Sequence, residues 1–218
     1  MKYRITGNWD RSSEDAKISK ALANMGSENE MHMNLRSKVV RFVRGLKSPD
    51  QAHTPIIPAV YANYIGSLAK LTARLRGVVE RDPRTDRMLF KPTTEVGTRL
   101  ARQLAKLGIG IAIFLNKGQI DDEVYRLMRR VALDTIPDIN EDVVHAVWKL
   151  TRHDPATTTT EIIETTRMPH TTVTRVLNDM VLLKTMTKQM DDKRVIHWKL
   201  AKNIQEYIRD GRVYEKHT

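Results

Sequence analysis

At 218 residues with 40% hydrophobic content, the chain is long enough for one or two domains with sizeable cores. It has no cysteine, which excludes disulfides, thiolate metal sites and cysteine nucleophiles, and its 7 histidines include no HExxH or comparable ligand pair, so neither a metal nor another cofactor is expected. A net charge of +11 favours a polyanionic partner, because neutralised phosphates release their counterions.

No apolar run approaches the roughly 20 residues needed to span a bilayer, and MKYRITGNWD lacks the apolar centre of a signal peptide, so a cytoplasmic protein without membrane contact is expected. KYRI reads as a short strand and GNWD as a turn. From Glu14 to Leu46 the pattern fits two amphipathic helices, the first through Ile18, Ala21, Leu22 and Met25, the second through Leu35, Val39, Phe42, Val43 and Leu46, with Gly26 between them. The prolines at 49, 55 and 58 forbid a continuous helix, so Gly45 to Pro58 reads as a loop.

Ala59 to Val79 follows as a long helix with Tyr61, Tyr64, Ile65, Leu68, Leu71 and Leu75 on one face. VVERDPRTDRMLFKP then reads as a β-hairpin with arginines near its tip. Arg81, Arg84 and Arg87 are candidate phosphate contacts, or else charges that keep an exposed edge soluble. Basic residues dominate from Lys70 to Lys106, whereas the C-terminal part is nearly balanced. Thr98 to Leu115 is a second core helix, through Leu100, Leu104, Leu107, Ile111 and Leu115. Asp121 to Leu133 is a third, opened by Asp121, Asp122 and Glu123, acids suited to the positive end of a helix dipole. Pro137 and Asp138 read as a short linker.

The stretch from Asn140 to Ala201 carries three short helical patterns, then KTMTKQM and RVIHWKLA around the polar turn at Asp191, Asp192 and Lys193. Asn140 suits the cap of a helix from Glu141 to Arg152, and Thr158 with Glu161 matches a capping box. Pro169 suits the first turn of the third helix, with Val173, Val176, Leu177 and Met180 inward. Helix, helix, helix and two strands in that order are a winged helix-turn-helix, the arrangement that lays its third helix in the DNA major groove. His170, Thr171, Thr174, Arg175 and Asn178 would then face DNA, and Lys188, Lys193 and Arg194 would charge the wing. His170 is equally suited to an exposed cap. Trp148 and Trp198 read as core. Asn203 to Thr218 reads as a final short helix, docked through Ile204, Tyr207 and Ile208, with a frayed tail.

The run EVGTRLARQLAKLGIGIAIFLNKGQIDDEVYRLMRRVALDTIP resembles the helical lid of AAA+ ATPases, in particular the minichromosome maintenance (MCM) helicases and MCM-like ATPases of mobile elements. The matching positions are Thr98, Arg99 and the helix to Leu115, then Lys117 to Glu123 and the helix to Leu133. KYRITGNW and KALANMGSENEMHMNLRSKV look similar to the segment joining such a core to its lid, and a winged helix follows the lid in that family too. The resemblance implies a role in replication of DNA or of a mobile element, and it puts Arg99 where the lid's sensor arginine approaches a nucleotide held by a neighbouring core. The chain departs from the family in having no GxxxxGK[ST] sequence, so the phosphate cradle is missing and no ATP hydrolysis is expected of this chain alone.

The expected architecture is mainly α: a connecting strand and helices over 1–50, a lid-like helical bundle with a β-hairpin over 51–138, a winged helix-turn-helix with a small β-wing over 139–203, and a helix and tail over 204–218. The expected function is non-catalytic, sequence-tolerant binding of double-stranded DNA, hence nucleoid association. The alternatives are a protein-interaction module that docks on a separate ATPase core or self-associates, and a free-standing winged-helix transcriptional regulator.

Overall fold

The computed structural model describes residues 16, 19–20, 22–24, 26–45, 54–82, 84–85, 87–90, 92, 95–152 and 156–215. The chain divides into two compact units, Met1–Thr54 and Pro55–Thr218. The described residues are mainly helical, with one small three-stranded antiparallel sheet. The expected KYRI strand and the frayed tail after Glu215 lie outside them.

In the first unit, Gly26 takes φ 94, the left-handed backbone that glycine adopts without steric cost, and α1 (Glu28–Gly45) follows it. Acids in its first turn, Glu28 and Glu30, and Arg44 in its last complement the helix dipole. The apolar stripe through Leu35, Val39 and Val43 is present but exposed, and α1 buries none of its residues.

The second unit is built on α2 (Ala59–Leu75), which starts after Pro58 and buries Ile65, Leu68, Ala69, Leu71, Thr72, Ala73 and Leu75. It ends four residues before the expected Val79, because the chain turns at Arg76 and Gly77 to enter the hairpin. A β-carbon on Gly77 would fall 2.7 Å from Leu183 Cδ2 and 3.1 Å from the Arg74 carbonyl oxygen, so a larger residue there would displace the Leu183 side chain. α3 (Gly97–Phe114) packs along α2, and α4 (Asp122–Leu133) packs on both. The buried line of α3 is Leu100, Leu104, Gly108 and Ala112, with Leu107, Ile111 and Leu115 only partly covered. The Asp121 carboxylate caps α4 by accepting the Val124 N–H at 3.0 Å.

α5 (Asp138–Leu150) starts on Pro137, whose φ of −55° already suits a helix entry. This corrects the expected cap: Asn140 lies inside the helix, and its amide instead donates to the Leu75 carbonyl at 2.9 Å, joining α5 to the end of α2. β1 (Thr157–Thr158) leads into α6 (Thr159–Thr166), which carries the full capping box of Thr158 and Glu161. Arg167, at φ 58, ends α6, and α7 (His170–Leu182) follows Pro169. β2 (Met186–Met190) and β3 (Ile196–Leu200) form a hairpin, and β1 adds to the free edge of β3 to give the order β1-β3-β2. Thr157 pairs with Trp198 and Thr158 with His197. Trp198 is 1% exposed, and its indole N–H donates to Thr159 Oγ1 at 2.8 Å. Trp148 is only partly buried against the core.

The last helix, α8 (Lys202–Asp210), returns to pack on α2, burying Ile204 and Ile208. The core is therefore continuous from α2 to the C-terminal turns, with Val143, Val147, Ile162, Leu177 and Trp198 in the same cluster as Leu68 and Met128.

Candidate nucleic-acid interface

α7 has two faces because its apolar residues recur every three or four positions. Val173, Val176, Leu177 and Met180 are buried, as the pattern predicts. At about 100° per residue, His170, Thr171, Thr174, Arg175 and Asn178 share the opposite arc. His170, Thr171 and Arg175 are exposed, while Thr174 and Asn178 are half-buried. All five line one shallow groove, together with Arg81 from the hairpin after α2.

Two of these side chains are not presented at the surface: Asn178 is occupied within the fold, and the Thr174 hydroxyl is turned inward. Asn178 donates from Nδ2 to the Thr174 carbonyl at 2.9 Å, and its Oδ1 lies 3.5 Å from Lys188 Nζ. The Thr174 Oγ1 is buried and has no hydrogen-bond partner among the described residues. A base contact through that hydroxyl therefore requires a χ1 rotation that brings it to the surface.

The hairpin between α2 and α3 is narrow. Arg81 bridges Met88, Asp82 N donates to Arg87 O at 2.8 Å, and Leu89 N donates to Glu80 O at 3.0 Å. The Asp82 carboxylate organises the turn by accepting the Arg84 and Thr85 N–H groups, which holds its pKa below the usual carboxylate range. Arg84 and Arg87 are exposed. Arg81 is committed elsewhere: its guanidinium donates to Asp179 Oδ1 on α7, from Nε at 3.1 Å and from Nη2 at 2.5 Å, with side-chain exposures of 22% and 23%.

The β2–β3 hairpin brings a second set of cations. Lys188 sits 5.4 Å from the centre of the Trp198 ring, a cation–π contact, and leans toward Asn178. Lys193 and Arg194 are exposed in the connecting turn, where Arg194 takes φ 63. Asp191 holds that turn by accepting the Val195 N–H at 2.8 Å and lying 3.1 Å from His197 Nε2. The Val195 bond, and after it His197, keep the Asp191 carboxyl below its ordinary pKa.

Sequence reasoning missed Arg167, an exposed cation in the turn between α6 and α7, whose only local signal is its place just before Met168 and Pro169. Arg99 is exposed near the start of α3, and no ion pair with it occurs among the described residues. Its neighbourhood is a helix start rather than a groove. Among the described residues no group of three His, Asp or Glu could hold a metal ion, and no helix is long and apolar enough to cross a membrane.

No protein-family model matches the chain, and comparison with curated proteins and with solved structures gives no match either.

Proposed function

We propose that the chain binds double-stranded DNA without catalysis of its own, as the lid and winged-helix portion of an MCM-like replication ATPase would. In this reading α6 and α7 are the helix-turn-helix, α7 enters the major groove, and the β2–β3 hairpin is the wing. One observation carries it: the exposed arc of α7, with His170, Thr171 and Arg175, is met by Lys188 of β2 at Asn178 and by Arg81 at Asp179, each from a hairpin that carries further exposed cations. Arg175 is the base-reading candidate, and Lys193 and Arg194 are phosphate contacts. The net charge of +11 agrees, since it supplies the sequence-independent part of the affinity. Arg99 is a sensor-like position only if a neighbouring nucleotide-binding core supplies the phosphate.

A mobility-shift titration with duplex DNA over a salt series tests the proposal. Binding that weakens linearly with log salt is expected, and no retention at low salt would sink it. A second reading, docking on a separate protein such as an ATPase core, draws on the exposed apolar run Met88, Leu89 and Phe90, which has exposures of 46%, 51% and 68%. Arg175→Glu separates the two: it should abolish DNA retention and leave capture of a protein partner unchanged.

A further inference from the structure

We infer that the hairpin between α2 and α3 is a second DNA-contacting arm, and that Arg81 is its internal brace rather than a phosphate contact. This rests on the DNA-binding reading of α7 and adds how that site is bounded.

On a helical wheel of about 100° per residue, Asp179 lies about 40° beyond Arg175, at the edge of the exposed arc, while Asn178 lies near its middle. Lys188 of β2 approaches at Asn178, and Arg81 approaches at Asp179. The two hairpins thus reach α7 at different places on its circumference, one at the middle of the arc and the other at its edge.

Charge gives the Arg81 contact its significance. Asp179 is the only carboxylate on α7, and beside an anionic ligand it would repel phosphates. Arg81 cancels it, and both partners are largely shielded from solvent. Being consumed in that pair, Arg81 fixes the hairpin against α7 through its Nε and Nη2. Backbone pairing then continues from Arg81 outward to Asp82 and Arg87, and the Asp82 carboxylate holds the Arg84 and Thr85 amides. Beyond the brace, Arg84 and Arg87 remain exposed, and no ion pair with either occurs among the described residues. A fixed stalk that ends in two exposed guanidinium groups beside a recognition helix has the form of a wing. Its ligand is the phosphate backbone of a duplex.

The test is a salt-dependent titration of the full chain with duplex DNA. Each phosphate that is no longer neutralised should lower the slope of log affinity against log salt by about 0.9. Arg84→Ala with Arg87→Ala should therefore lower it by about 1.8, and neither change touches a buried group. Arg81→Ala should lower it in the same way although Arg84 and Arg87 are intact, and the reversed pair Arg81→Asp with Asp179→Arg should restore it. An unchanged slope in the Arg84, Arg87 variant, with Arg175→Glu still weakening binding, overturns the second arm and leaves the α7 reading standing. A reversed pair that fails to restore the slope overturns the brace. A wild-type chain that does not bind duplex at any salt concentration removes both the arm and the reading beneath it.

Discussion

The phenol of Tyr125, buried on α4, donates a hydrogen bond at 2.5 Å to the carbonyl of Gly211, the residue that ends α8. Arg129, one turn further along α4, donates to the Arg212 carbonyl at 2.6 Å. These bonds tie the C-terminal turn to α4.

Tyr125→Phe keeps the ring and its packing on Tyr64, whose centre is 5.4 Å away, but leaves a buried carbonyl without its donor. The expected cost is about 1–3 kcal/mol in urea unfolding. Burial pushes the Tyr125 pKa above its ordinary 10.0, so the folded state favours the protonated phenol. Its contribution is fully present below about pH 10 and is lost as pH rises toward the folded-state pKa. The wild type should therefore lose stability at alkaline pH more steeply than Tyr125→Phe. Parallel curves would contradict this.

Asp121 tests the opposite sign. Burial pushes its carboxyl up, but the bonds from Lys117 and the Val124 amide outweigh it, and the net pKa lies below the ordinary 3.8. Its stabilisation is present above that value and lost as pH falls through the folded-state pKa. Asp121→Ala should cost about 1 kcal/mol at neutral pH, Asp121→Asn less, because asparagine still caps. Both should flatten the loss of stability below pH 3.8, readable from thermal melts over an acid series.

Two glycines on α3 should respond in opposite directions to alanine. A β-carbon at Gly108 would sit 2.5 Å from Met128 Sδ and 2.7 Å from Ile120 Cδ1, whereas nothing lies within 4 Å of one at Gly110. Gly110→Ala should stabilise by roughly 0.5–1 kcal/mol through helix propensity. Gly108→Ala should destabilise by about 1–3 kcal/mol, because Met128 and Ile120 must move to make room. Equal melting shifts for the two would mean that α3 and α4 are not in close contact there.

On the proposed DNA interface, Arg175 and the pair Lys193 and Arg194 should separate by the kind of loss. Arg175→Ala should cost about 1–3 kcal/mol on a preferred duplex and reduce discrimination between duplexes. Lys193→Ala with Arg194→Ala should weaken all duplexes alike and lower the salt slope by about 1.8. Anisotropy titrations on two or more duplexes read both effects.

Local signals in the sequence were legible where the cause lies within one helical turn. The Thr158 and Glu161 capping box and the inward line of Val173, Val176, Leu177 and Met180 are present as their spacing predicts. Helix boundaries set by a proline read less well: Pro137 moved the start of α5 ahead of Asn140, which then served a carbonyl 65 positions away. β1 has two residues, too few for an alternating pattern, and takes its strand character from β3. The Arg81–Asp179 pair spans 98 positions, and nothing near either residue marks the other. Arg81 looked like its neighbours Arg84 and Arg87 because all three share one short run. Only the folded chain distinguishes the arginine that is used up from the two that stand in solvent.

The return of α8 to α2 means that the unit from Pro55 onward closes on itself, its last helix resting on its first. Trimming the chain after β3 would therefore take a stave out of a barrel: Ile204, Ile208 and Val213 would leave the core together, and α2 would be stripped along the side they cover. The compact unit that holds α7 and its two hairpins begins at Pro55, and its core extends to Val213.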